Sequence, residues 1–495
     1  MTPAIRSRAA LLCLLSFTLS ACAVPFAGTR AERASVDSLV ARVDRLLADT
    51  LFVTTVAAVK VVSVETGQIL YDRNSQLLMH PASSEKLFTS AAALTMLDPD
   101  FTFNTVLSTD GEVVDSVLVG NLHVKGYGDP LLDSADVAAI VNHFVLAGIR
   151  RIEGDLVADV AYFDDLYWGN GWMWDDEPDP TSMFISPLSV NHNTVTVYTA
   201  PGGAAGEPLQ VWTEPETGYV TVSNEGVTVA DSVTNDLEVS RDYWLERSNV
   251  IHVTGEMLIT DTAEDNTVSV WRPELYLLTL LKEEMGRQGI TLKGNLRSGQ
   301  TPDGSEEVFE VNRPLDSVVV YMNKESDNLS AENLLKTLAA EFLGPPGSAE
   351  VGIEVLKVFL VSAGIDTSRI SIADGSGVSR YDLTTAESVV QLLIAMASDG
   401  DLFSRFYVSL PVGGVDGTLE SRMKARSAAA SVHAKTGSLS GVSNLSGYVT
   451  TRDGELLAFS ILMQNFLGPS GPYRDMQDRL VSLLADFSRE WIAVR

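Results

Sequence analysis

Only two cysteines stand in the 495 residues, Cys13 and Cys22, and both lie at the N-terminus. The remainder of the chain can form no internal disulfide, so its stability must come from packing. Histidine is also sparse: six are scattered with no HExxH motif and no paired Cys/His spacing, so neither a metal site nor a cofactor is expected. Positive charge is in short supply. Thirty-five Lys plus Arg face 65 Asp plus Glu, a formal net charge of -30, which excludes nucleic-acid binding because neutralising phosphates takes clustered cations. Beyond the N-terminal segment no run reaches the roughly eighteen apolar residues that a membrane-spanning helix needs. Hydrophobic residues nonetheless make up 45% of the chain, more than one ordinary core accommodates at this length, so two or three domains are expected.

The N-terminus carries an export signal. Arg6 and Arg8 precede the apolar stretch AALLCLLSFTLS, which is too short to span a bilayer, and Leu19-Ser20-Ala21-Cys22 resembles a bacterial lipobox. Residues 1–22 are therefore read as a lipoprotein signal peptide, Cys22 as the lipidated first residue of the mature protein, and residues 23–34 as a tether. The expected location is the periplasmic or cell-surface side, with a lipid holding the protein to a membrane. A cleaved signal with an incidental cysteine is the plainer alternative.

Both ends of the mature chain show the same kind of pattern. Residues 35–50 space Val36, Leu39, Val40, Val43 and Leu46 as one face of a helix, and TVAAVKVVSV and QILYDRN flank the turn Glu65-Thr66-Gly67 as a hairpin. Ser83 to Leu97 has helical composition. Near the C-terminus, SVHAKTG, GVSNLSGYVTT and ELLAFSILMQN read as strands, and residues 473–491 as a closing amphipathic helix. One sheet-and-helix domain is expected from residues 35–105 and 305–495, interrupted by residues 106–304. That insertion holds 32 acidic against 10 basic residues, most of the excess negative charge. Gly148, Gly289 and Gly364 each precede an Ile and a strand pattern and are read as helix C-caps, a device too generic to imply a repeat.

The chemistry centres on PASSEKLFTS. Ser83 and Lys86 are three residues apart at a helix start, so hydroxyl and amine share a face. Ser84 has Leu87 in the partner position, and a second Ser-x-x-Lys, Ser421 to Lys424, lacks a strand-to-helix context. Taken alone, Ser83 reads first as an N-cap. Two further motifs change this: Ser326-Asp327-Asn328, and Lys435-Thr436-Gly437 on a strand. The three together, in this order, occur in penicillin-binding proteins and class A β-lactamases. Lys86 can serve as base for Ser83 if burial beside another cation, Lys435, lowers its pKa by about three units. Ser326 can relay a proton to the leaving amine, and the Asn328 amide can hold a substrate carbonyl. Backbone N–H groups of Ser83 and Ser438 suit an oxyanion, and Lys435, Thr436 and Ser438 suit a carboxylate.

Over nearly all of its mature length the chain resembles the class C low-molecular-mass penicillin-binding proteins, the D-alanyl-D-alanine carboxypeptidase/endopeptidase family. The similar segments are HPASSEKLFTSAAAL, GNLHVKGYGDPLL, MNKESDNLSAENLL, DGSGVSRYDLTT, LPVGGVDGTL and HAKTGSLSGVSNLSGYV. The resemblance implies an α/β (α+β) transpeptidase/β-lactamase-like domain, an antiparallel sheet covered by helices, interrupted by an inserted mixed α/β region of two nested small domains. It implies peptidoglycan stem peptides as substrate, β-lactams as inhibitors, and Ser83, Lys86, Ser326, Asn328 and Lys435 as the catalytic set. Some members hold the neighbouring diamino-acid side chain with an inserted Trp and Asp, and GWMWDDEPDP offers Trp172 and Asp175, although Pro180 replaces the usual tyrosine. DGSG at 374–377 and GGVDGT at 413–418 read as turns with no assigned chemistry. A non-catalytic penicillin-binding sensor would share the trio. A class A β-lactamase would need a Glu-x-x-Leu-Asn segment, and none occurs between Asn328 and Lys435.

Overall fold

The computed structural model describes residues 30–243 and 247–489, so the signal peptide and Cys22 lie outside the described residues. Helix α1 (Arg30–Leu47) leads into strands β1 (Val56–Ser63) and β2 (Ile69–Arg73), and helix α2 (Lys86–Met96) follows a short 3-10 turn, Ala82–Glu85. Strand β3 (Thr102–Thr109) enters the insertion and β4 (Glu306–Pro314) leaves it. Helices α3 (Leu315–Glu325), α4 (Asn328–Leu343), α5 (Ala349–Ser362), α6 (Ala386–Ala397) and α7 (Gly400–Ser409) come next. Strands β5 (Val432–Leu439), β6 (Val442–Thr450) and β7 (Leu456–Gln464) and helix α8 (Gly471–Ala485) complete the chain.

The two ends of the chain meet in one antiparallel sheet of order β2-β1-β7-β6-β5. Its central strands are buried on both faces, which is why VAAVKVVS and LLAFSILMQ read as apolar runs rather than clean alternation. The period of two reappears in the packing. Val59, Val61, Leu445, Phe459 and Ile461 join a cluster with Leu39 and Val43 of α1 and Leu480 and Leu484 of α8. Val62, Tyr448 and Ala458 face the other way, into a cluster built around Leu87, Phe88 and Ala91 of α2. Helix α2 is buried from Lys86 to Leu94, so it is apolar nearly all round instead of amphipathic.

The insertion is an α/β unit that carries a β unit within it. Strand β3 pairs antiparallel with β4 and belongs to the sheet of residues 122–126, 156–159 and 296–298, not to the five-stranded one. The boundary expected after residue 105 falls within β3, and the one expected before residue 305 falls just ahead of β4. Three short all-β sheets fill residues 194–269, yet a single hydrophobic cluster joins Leu107, Val124 and Ile140 of the outer unit to Val197, Ile251 and Val253 of the inner one. The glycine caps are present: Gly148, Gly289 and Gly364 sit at φ 80°, 83° and 80°. A repeat lies just beyond the first two. Gly120-Asn121-Leu122, Gly154-Asp155-Leu156 and Gly294-Asn295-Leu296 stack in register; Asn121 Oδ1 accepts from the Asp155 N–H at 2.8 Å, and Asp155 Oδ1 from the Asn295 N–H at 2.9 Å.

Candidate active site

Ser83 is half-buried in the 3-10 turn ahead of α2, and Lys86 is the helix's first residue. The Lys86 Nζ donates to Ser83 Oγ at 3.0 Å, to Asn328 Oδ1 at 2.5 Å and to the Ser376 carbonyl at 2.7 Å. Ser84 is fully buried and its hydroxyl has no hydrogen-bond partner among the described residues. Ser421 borders the same cleft, but Lys424 is exposed to solvent and no described hydrogen bond joins the pair.

The turn is held in a strained shape from three sides. Ala82 has φ 46°, and Gly377 packs so close that a Cβ there would lie 1.9 Å from the Ala82 carbonyl oxygen. Asn444 of β6 donates to the carbonyls of His80 and Pro81 at 2.9 and 2.7 Å. A Cβ on Gly437 would sit 2.7 Å from the Pro81 oxygen, so a glycine lets β5 press against the serine turn.

Strand β5 brings the second cation. Val432 and Ala434 point into the α1/α8 cluster, so alternation turns Lys435 toward α2, where its Nζ donates to Ser326 Oγ at 2.8 Å. Ser326 ends α3 in the left-handed region at φ 63°, which aims its hydroxyl into the cleft before Asp327 caps α4. The strand is an edge of its sheet. The Ala434 N–H bonds outward to Pro411, and the two-residue alternation turns the Ser438 N–H the same way, into the cleft. The cleft encloses about 550 Å³ and is bordered by Ser83, Ser326, Asn328, Thr436 and Ser438.

Burial governs the electrostatics. It brings the Lys86 ammonium down to about 8, against the upward pull of Asp374, Asp327, Glu332 and Glu85. Lys435 is likewise held well below the usual lysine range, by burial first and by Lys86 second. Behind the two lysines lies a group of buried carboxyls. Glu85 and Asp382 are pushed far above the carboxylate range, and Glu332 to about 8, in each case by burial first and then by Asp374. Among the described residues no cluster of His, Cys, Asp and Glu could hold a metal ion.

Two expected positions lie elsewhere. Trp172 is 7% exposed and donates its indole N–H to Asp374 Oδ2 at 2.8 Å, instead of facing the cleft. Asp175 is exposed outside the cleft, whose border is formed by its neighbour Asp176 with Thr181 and Ser182. The inserted region thus reaches the cleft, but through other residues. The 374–377 loop, to which the sequence assigns no chemistry, also belongs to the site, since its Ser376 carbonyl touches Lys86. Its Gly-rich composition signals a turn, and the partner across 290 residues becomes visible only in the fold.

The chain matches the D-Ala-D-Ala carboxypeptidase 3 (S13) family over residues 39–487. It is 34% identical to a D-alanyl-D-alanine carboxypeptidase of an Actinomadura species, covering 92% of this chain and 86% of the relative. It is 30% identical to the D-alanyl-D-alanine carboxypeptidase DacB of Haemophilus influenzae, covering 80% and 83%. The crystal structure of penicillin binding protein 4 from Haemophilus influenzae superposes with a TM-score of 0.80 at 26% identity, over 90% of this chain and 99% of that one. The same protein complexed with a β-lactam superposes with a TM-score of 0.75 at 25% identity, over the same shares. Family, fold and cleft agree, and the chain belongs to the D-Ala-D-Ala carboxypeptidase 3 (S13) family, as a serine-type, penicillin-binding D-alanyl-D-alanine carboxypeptidase.

Proposed function

We propose that Ser83 is the residue acylated, with Lys86 as its base and Ser326, Asn328 and Lys435 completing the machinery. The observation that carries this reading is the 3.0 Å contact between Lys86 Nζ and Ser83 Oγ, opposite a Lys435–Ser326 pair at 2.8 Å. A neutral Lys86 takes the Ser83 proton as Oγ attacks the carbonyl of the penultimate residue. The Ser83 and Ser438 N–H groups receive the oxyanion, and removing one such donor typically costs about 10²- to 10³-fold in rate. Ser326, bonded to Lys435, passes a proton to the departing D-alanine amine. Water then cleaves the ester on Ser83 and frees the enzyme. Thr436 and Ser438 border the cleft, and their hydroxyls would receive the terminal carboxylate. The Asn328 amide donates to the Thr181 carbonyl at 2.6 Å, and a substrate carbonyl would replace that acceptor.

The same bond is broken when D-alanine is joined to a neighbouring stem peptide, so cleavage of cross-links is proposed as a second activity of this cleft. Export and lipidation at Cys22 complete the proposal. The support is the lipobox in the sequence.

Incubation with diacetyl-lysyl-D-alanyl-D-alanine tests the reading. Release of D-alanine, abolished by Ser83→Ala, is the expected result; β-lactam labelling without release would leave a binding protein instead. Cys22→Ser is expected to move the protein from the membrane fraction to the soluble one, and unchanged fractionation would remove the lipid anchor.

A further inference from the structure

Two of the three oxygens around the Lys86 ammonium are held in place by one inserted segment. Asn328, whose Oδ1 accepts from Lys86, donates its amide N–H to the Thr181 carbonyl at 2.6 Å. Ser376, whose carbonyl also accepts from Lys86, lies in a loop wrapped around the Asp374 carboxylate. That carboxylate accepts from the N–H groups of Gly377 and Ser379 at 2.6 and 2.7 Å, from the Ser376 hydroxyl at 3.3 Å and from Trp172 Nε1 at 2.8 Å. Gly171, at φ 80°, lets the segment lie on the loop, since a Cβ there would sit 2.4 Å from Ser379 Oγ. Between its two contacts the segment is fixed to the inner β unit, where buried Glu177 pairs with buried Arg241 and, at 3.1 Å, with Arg247.

We propose that residues 171–182 form a strap through which the inserted region sets the geometry of the Lys86 ammonium, with Trp172 and Asp374 as positioning residues. The proposal rests on the reading of Lys86 as the base. The groups facing Lys86 are Glu85 on its own turn, Asp327 and Glu332 of α4, Asp374 of the loop, and Lys435 of β5. Asp382 stands behind Asp374 and Glu85. Loss of the indole N–H loosens the Ser376 carbonyl, which accepts from Lys86, and losing that acceptor disfavours the charged form of the amine. The amine also loses its alignment on Ser83 Oγ.

The test replaces Trp172, in the full chain, with β-(3-benzothienyl)alanine, which keeps the ring shape and puts sulfur in place of the N–H. Trp172→Phe is the companion variant. Acylation by a chromogenic β-lactam is followed across pH, together with KM for a D-alanyl-D-alanine peptide. The plateau rate is expected to fall about ten- to a hundredfold, the size of one charge-assisted hydrogen bond, with KM unchanged within about twofold. The acid limb should move to lower pH. An unchanged rate and limb overturns the proposal, as does a lower plateau with an unmoved limb, which is loss of folded protein alone. A raised KM at constant kcat overturns it too and makes Trp172 a substrate contact. Should Trp172→Phe not fold, the benzothienyl variant decides. Lys86→Ala in the same assay separates the layers: acylation that survives it sinks the role of Lys86 and the strap together. Acylation lost in Lys86→Ala but indifferent to position 172 sinks the strap alone.

Discussion

Two adjacent serines meet opposite fates because one turn of backbone separates their surroundings. Ser83 shares a face with Lys86, while Ser84 is sealed against Gly437, where an added Cβ would lie 3.0 Å from the Ser84 Oγ. Ser83→Ala should therefore abolish labelling by fluorescent penicillin, and Ser84→Ala should retain it, as should Ser421→Ala; gel fluorescence reads all three. The neutral form of Lys86 is the working one, so acylation is expected to rise with pH and level off above about 8, where that amine has lost its proton. A flat profile through this range would remove Lys86 as the base. The Ser83–Lys86 pair was legible because three-residue spacing on a helix is a local rule. The surroundings of Trp172 were not, because they depend on Asp374, 202 residues further along the chain. Local pattern has no access to such a partner.

At the scale of elements, glycines mark the places where backbone meets backbone. Gly377→Ala would drive a methyl to 1.9 Å from the Ala82 oxygen and displace the serine turn. Loss of acylation beyond about 100-fold is expected, together with about 2 kcal/mol or more of destabilisation in a urea melt. Gly154→Ala would meet the Gly120 oxygen at 2.3 Å within the stacked ladder of the insertion, far along the chain from the serine turn. Its expected effect is comparable destabilisation with acylation by the folded fraction retained. Helices and strands of the two chain ends followed from periodicity, and buried strands from their continuous apolar runs. At the ends of the insertion the sequence shows only a change in charge density, which tracks surface composition, whereas the pairing of β3 with β4 is a long-range contact that local pattern does not reveal. The Gly-Asn/Asp-Leu ladder was not legible either, because three residues repeated at unequal intervals carry little signal until they stack.

Across the whole molecule, the insertion meets the catalytic domain through the 171–182 segment as well as at its ends, and an ion pair inside the insertion fixes that segment. Glu177 and Arg241 are 3% and 1% exposed; removing Glu177 leaves Arg241 without its carboxylate, and removing Arg241 leaves buried Glu177 with only the exposed Arg247. Arg241→Ala is expected to destabilise the protein by about 3–5 kcal/mol, measured by chemical denaturation, and Glu177→Gln by less, since the amide still accepts. A loss under about 1 kcal/mol for Arg241→Ala would mean that the pair is solvated. The outer edge of β5 carries one last consequence. Pro411 and Gly413 already occupy it as far as Ala434, so the stretch from Thr436 to Leu439, which pairs with no further strand among the described residues, offers about 13 Å of rim. That admits the tip of an extended peptide and turns away a whole polypeptide segment, so this rim discriminates by reach and cannot nucleate the open-ended stacking to which bare sheet margins are prone.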